Sequence, residues 1–193
     1  ADAQRLADRI SAVFVPVVMR RGARVAMNFG GCDHNTCLAR MGFAERVEIE
    51  PGATYVINPS VYDGGPGFGG QLINRGTIEI AGAMWGQPGS RFENYGTITG
   101  YGDLRIPTRI HPGGEVHLSS GSVLRWAVPL EVAGRIRLDA GAAMWDSPGG
   151  NSPLVALPGA EFSGSGWIGH PSYGSYLTVL TDVTIPPTMT LSS

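Results

Sequence analysis

Lysine is absent. All 14 basic residues are arginine, which removes every lysine-based mechanism and fits a GC-rich coding sequence. An excess of one charge is also missing: 14 basic residues stand against 16 acidic ones, for a net charge of −2. No basic stripe is left to hold nucleic acid or an anionic membrane. Long apolar runs are missing too. The longest, Ala12 to Met19, is interrupted by Pro16 and falls far short of the roughly 20 residues that cross a bilayer as a helix. The N-terminus lacks the charged-then-apolar layout of a signal peptide, so the chain reads as processed or as a segment of a longer protein. Nucleophile-elbow, P-loop and dinucleotide-binding signatures do not occur, nor does any DxD or DD pair.

What is present is glycine, proline and periodicity. Glycine (29) and proline (14) exceed a fifth of the chain, yet apolar residues still reach 42%. That balance predicts one folded domain with many turns, and not a disordered tract. A seven-residue phrase recurs with apolar ends and a small residue near its centre, starting at Met19, Ile49, Leu72, Phe92, Ile110, Leu130, Ala156 and Ile185. Its fifth position is Ala23, Ala53, Gly76, Gly96, Gly114, Gly134, Ala160 and Met189, and its seventh is apolar in all eight copies. The alternation continues at Met27, Ile57, Ile80, Leu118 and Leu138, and period two means strand. Proline precedes the alternating run at Pro51, Pro112, Pro158 and Pro187, where a missing N–H costs a ladder least.

A unit of this length with one evident strand cannot bury its apolar side alone, so neighbours must stack. The expectation is an all-β, parallel β-solenoid of about eight coils. At about 4.8 Å per coil the rod would be about 35 to 40 Å long. An antiparallel sandwich is the competing all-β reading, and it leaves the like copies unexplained. Leu6, Ile10 and Val13, with charges between them, predict a short amphipathic helix that caps the first coil. The predicted division is a capping helix and lead-in strand over 1–18 and a β-helix domain over 19–193. The last phrase begins a coil that two serines cannot finish, which predicts that the natural chain continues.

The phrases Asn74-Arg-Gly-Thr-Ile78 and Asn94-Tyr-Gly-Thr-Ile98, with Pro51-Gly-Ala-Thr54 and Pro158-Gly-Ala-Glu161, resemble the coils of filamentous-haemagglutinin and autotransporter-passenger proteins. The resemblance covers roughly residues 45 to 193. It implies a single-stranded, right-handed parallel β-helix and an adhesin-like role in a bacterial secreted or cell-surface protein. A polysaccharide or host glycan, further β-helix coils or a homo-oligomer are the partners it suggests. Known β-helix enzymes mostly cut polysaccharides, so a polysaccharide lyase or glycoside hydrolase fragment is the alternative.

The residues argue against that alternative. Hydrolysis needs converging carboxylates, and Asp103, Glu115, Asp139 and Asp146 are the scattered candidates. A lyase would draw on Arg109, Arg125, Arg135 and Arg137 gathered on one face. His111, His117 and His170 have no ligand or triad spacing. No catalytic residue, cofactor or metal is therefore expected. Trp85 and Trp145 sit in near copies, Ala81-Gly-Ala-Met-Trp85 and Gly141-Ala-Ala-Met-Trp145. With Trp126 and Trp167 they form the candidate glycan-binding row, against the ordinary reading that tryptophan covers core. Cys32 and Cys37 bracket Asp33-His-Asn-Thr36. They read as a disulfide in an oxidising compartment, with free thiols or a metal site with His34 and Asp33 as alternatives. The glycine-rich stretch from Tyr62 to Gln71 and the Gly/Ser-rich one from Ser163 to Ser175 are expected to be loops.

Overall fold

The computed structural model describes residues 12–13, 16–27, 42–43, 46–58, 67–147, 152–169 and 177–191. They form a parallel β-solenoid with three faces. The first face is one eight-stranded sheet, with strands Val17–Met19, Arg46–Ile49, Gln71–Asn74, Arg91–Asn94, Thr108–Ile110, Leu130–Val132, Leu154–Ala156 and Leu177–Val179 in that order. Every neighbour is parallel, and these strands number the coils one to eight below. The second face stacks Arg24–Met27, Thr54–Ile57, the first parts of Thr77–Gly86 and Thr97–Arg105, then Glu115–Leu118, Arg135–Leu138 and Glu161–Gly164. The third takes Ala12–Val13, Gly42–Phe43, Gly67–Phe68, the last parts of the two long strands, Val123–Trp126, Ala143–Asp146, Trp167–Ile168 and Thr190–Leu191. Each coil thus has up to three strands, where the sequence showed one.

The repeat predicted the columns correctly on the second face. Val25, Tyr55, Ile78, Ile98, Val116, Ile136 and Phe162 stand one above another in register, and all but Val25 are buried. Each such side chain removed from water contributes roughly 1.5 to 3 kcal/mol, and the contact that buries it belongs to the next coil. The small fifth position has an equally direct cause. A Cβ built on Gly96 would lie 2.2 Å from Gly76 O, and one on Gly134 would lie 2.3 Å from His111 O.

The start of the phrase is corrected. Met19 and Ile49 pair onward with Asn74, Asn94, Ile110, Val132 and Ala156, so Leu72, Phe92 and Leu130 sit two residues earlier than their equivalents. The reason is two kinds of turn. In coils two, five and seven the Pro-Gly turns close with Ala53 N to Glu50 O, Gly114 N to His111 O and Ala160 N to Leu157 O. Their glycines Gly52, Gly113 and Gly159 have φ of 81°, 84° and 91°, as a type II turn requires at its third residue. Coils three, four and six turn on one residue, Arg75, Tyr95 or Ala133, before the small position. A shift of two keeps the side chain on the same face, so Leu72, Phe92 and Leu130 remain core.

Other expectations are also corrected. The described residues make about six turns of solenoid against the eight expected, because the first two circuits are described in part and the last has no second-face strand among the described residues. The eighth phrase falls on another face: Leu191 pairs with Ile168, not with Phe162. Its apolar–turn–apolar form recurs at the corner between the second and third faces, as in Leu118-Ser-Ser-Gly-Ser-Val-Leu124, so pattern alone does not separate the corners. Ala12–Val13, placed in the capping helix, is strand paired with Gly42–Phe43, and Val17–Met19, divided by the boundary at residue 18, is one strand. The rest of the expected helix, residues 1–11, lies outside the described residues. Within the expected loops, Gly67–Phe68 and Trp167–Ile168 are strands, and Phe68 and Ile168 are core. No helix among the described residues is long and apolar enough to cross a membrane.

Candidate functional site

Outward-facing side chains repeat at the strand spacing, so each face carries columns of neighbours from successive coils. On the third face one column runs Ala83, Asp103, Arg125, Trp145, and the next pairs Trp85 with Arg105. The Arg105 guanidinium lies 4.2 Å from the centre of the Trp85 ring, a cation–π contact across one rung. Arg105 also donates to Asp103 Oδ2 at 2.8 Å. Asp103 is 3% exposed, and its other oxygen, Oδ1, lies 2.5 Å from Arg125 Nε. That second contact is an ion pair without hydrogen-bond alignment. Two arginines thus close over one buried carboxylate, the condition under which a buried charge is tolerated. Tyr101, half exposed, and Trp167 share a third column on this face with Val123 and Ala143, through the Tyr101–Val123 step that adjoins the Gly102–Leu124 pair.

The four tryptophans therefore do not form one row. Trp126 is core, 1% exposed, and donates its indole N–H to Ser152 O at 2.8 Å. It is removed from the glycan-binding set because its position, continuing the buried Met84–Leu104 column, points inward. Trp85 is half-buried and one ring face is taken by Arg105. Trp145 is half-buried and Trp167 is exposed at 36%, so these two and Tyr101 give the third face its aromatic surface.

The first face carries a different chain of contacts. His111 Nε2 and Glu93 Oε2 are 2.5 Å apart, and the His111 ring stacks on Tyr95 with centroids 4.0 Å apart and planes 9° apart. Arg75 lies over the other side of the series, 4.6 Å from the Tyr95 centroid, and reaches Glu48 at 3.5 Å. On the second face Arg24 grips both oxygens of Glu79, at 3.0 and 2.7 Å, and Arg135 Nε and Nη2 meet Glu161 Oε2 at 3.0 and 2.8 Å. Each guanidinium is held above its ordinary pKa by the hydrogen bond and charge of its glutamate, and Glu115 adds to the effect on Arg135.

The proposed arginine cluster is dispersed: Arg109 is on the first face, Arg135 and Arg137 on the second, Arg125 on the third. The candidate carboxylates divide likewise. Asp103 is buried on the third face, Asp146 is buried in line with Trp126, Glu115 faces out from the second face, and Asp139 follows it. His117 is 3.4 Å from Asp139. No group of three metal-ligating side chains occurs among the described residues. Cys32, His34, Cys37 and His170 lie outside the described residues, and with them the expected disulfide. The sequence missed the Glu93–His111–Tyr95–Arg75 chain, whose members come from three coils with two turn types. The signal available was the alignment of Arg75 and Tyr95 one position before the small residue in adjacent copies. Compared with protein-family models, with curated proteins and with solved structures, the chain matches none, and its description as a parallel β-solenoid rests on strand order and register.

Proposed function

We propose that the chain is a non-enzymatic structural or adhesin-like module of a bacterial secreted or surface protein, a rigid rod that presents loops and a decorated third face. The observation that carries this reading is the pairing of outward carboxylates. Glu48, Glu79, Glu93, Asp103, Glu131, Asp139 and Glu161 each lie within 4 Å of an arginine or histidine, mostly from a neighbouring coil. A carboxylate engaged in this way braces one rung against the next and is poorly placed to pass a proton to a leaving group. The coil phrases add the resemblance to filamentous-haemagglutinin and autotransporter-passenger coils. Right-handed winding is part of the proposal, since parallel crossovers take that hand in nearly all proteins. The direct test is incubation with neutral and acidic polysaccharides. New reducing ends or unsaturated uronate products would overturn the reading in favour of a lyase or hydrolase. Antibody labelling of intact cells tests surface display.

A second reading, glycan contact without cleavage, is favoured by Trp145, Trp167 and Tyr101 lying on one outer face. Trp145→Ala and Trp167→Ala should each weaken retention on a glycan array by about 1 to 3 kcal/mol. Unchanged signals with folded variants would remove it.

A further inference from the structure

The order of turns at the corner between the first and second faces leaves one gap. Coils five and seven carry Pro-Gly turns with exposed tips, Pro112–Gly113 and Pro158–Gly159. The shorter turns of coils three and four lie between such tips as well, but there the turn residues fill the space. Arg75 covers the Tyr95 ring, and that ring stacks on His111 beneath the coil-five turn. In coil six the turn residue is Ala133, whose buried methyl is far smaller than the side chains of Arg75 and Tyr95, and a notch of about 220 Å³ opens between Pro112–Gly113 and Gly159. Ala133 and Gly134 make its floor. Its flank is the second-face column Glu115, Arg135, Glu161.

Size and charge select the occupant. The turns above and below are two strand spacings apart, about 9.5 Å, which admits one flat group between them. Along the same corner the chain fills equivalent levels with a guanidinium and a phenol ring. On the flank Arg135 is hydrogen-bonded to Glu161, whereas the Glu115 carboxylate makes no hydrogen bond or ion pair among the described residues and acts on Arg135 through its charge alone. With two carboxylates and one guanidinium on the flank, the net charge beside the flat slot is negative. The geometry points to a binding site for a planar cation, the guanidinium of an arginine side chain on a protein partner. The group would stack against the Pro112–Gly113 turn as Tyr95 stacks on His111, with Glu115 as its counter-charge. This site lies away from the aromatic third face and does not depend on the role proposed for that face.

The test is a titration of the full 193-residue chain with a short end-blocked peptide containing one arginine, followed by the amide signals of Gly113, Gly134 and Gly159. Saturable shifts at these glycines are expected. The same peptide with citrulline, flat but neutral, or with lysine, charged but not flat, should bind about five- to ten-fold more weakly, as should the arginine peptide to Glu115→Gln. Ala133→Tyr, which copies the filling of coil four, should abolish the shifts. If Ala133→Tyr does not fold, Glu115→Gln decides, since its side chain is on the outer surface. The proposal is overturned by no saturable shift, by citrulline or lysine binding as well as arginine, by full binding to Glu115→Gln, or by shifts that persist in folded Ala133→Tyr.

Discussion

Removing the Asn94 side chain tests the energetic coupling of neighbouring coils most directly. Asn94 is fully buried. Its Nδ2 donates to Gly96 O at 3.0 Å and to Glu115 O at 3.3 Å, while its Oδ1 accepts from Asn74 Nδ2 at 2.7 Å. Asn74 also donates to Thr97 O at 3.1 Å and accepts from Gly76 N at 3.1 Å. Asn94→Ala therefore deletes three bonds at a net cost of about 1 kcal/mol each. Two features soften the loss: Gly96 O still receives Glu115 N at 2.8 Å, and Asn74 keeps its bond to Thr97 O. The space left by the amide works in the other direction. The expected destabilisation is about 2 to 4 kcal/mol. Asn74→Ala should cost a similar amount, and because the two share the 2.7 Å bond, the double variant should cost less than the sum by about 1 kcal/mol. Urea unfolding followed by circular dichroism gives the midpoints. Hydrogen exchange at Glu115 N, bonded across this rung, reports the local loss, which matters because stacked repeats can open unevenly. A loss under about 0.5 kcal/mol, or strict additivity of the two variants, would refute the idea that the amide ladder couples coils three, four and five.

Gly100 has φ of 103°, and a Cβ there would lie 1.9 Å from Ile80 O. Gly100→Ala should cost more than about 3 kcal/mol, whereas Gly121→Ala, at φ of 79° with nothing within 4 Å, should cost about 1 kcal/mol; equal thermal shifts would contradict this. Trp126→Ala should destabilise by about 3 to 5 kcal/mol while leaving glycan-array signals unchanged, and a selective loss of glycan retention by a folded variant would restore Trp126 to the surface set. Tyr55 Oη is buried without a partner among the described residues, so Tyr55→Phe should be neutral or stabilising by about 1 kcal/mol near neutral pH. Burial also pushes the Tyr55 phenol well above its ordinary pKa. The unfolded chain therefore loses that proton first, and the folded protein loses stability as pH rises above about 10. Tyr55→Phe should reduce that alkaline loss, and an unchanged pH slope of the unfolding midpoint would contradict it.

Seven copies of a phrase with a small fifth and an apolar seventh residue were enough to determine parallel stacking, because only columns of like residues explain such copies. The same pattern also placed the core of the second face at residue resolution, from Tyr55 through Phe162. Side-chain alternation has a period of two whatever the face, and so it could not say which corner Ile185–Leu191 turns, nor show that Leu72 and Phe92 precede their equivalents by two residues. Tryptophan is apolar and polar-tipped at once, so Trp126 and Trp167 read alike in sequence. Register alone sent one into the core and left the other outside. The ion-pair ladders and the corner notch were decided wholly by tertiary structure. Most of the ladder pairs join residues 18 to 30 positions apart, and Arg24 reaches Glu79 over 55; only the stacking of coils shows that Arg75 and Tyr95 fill the corner while Ala133 leaves it open.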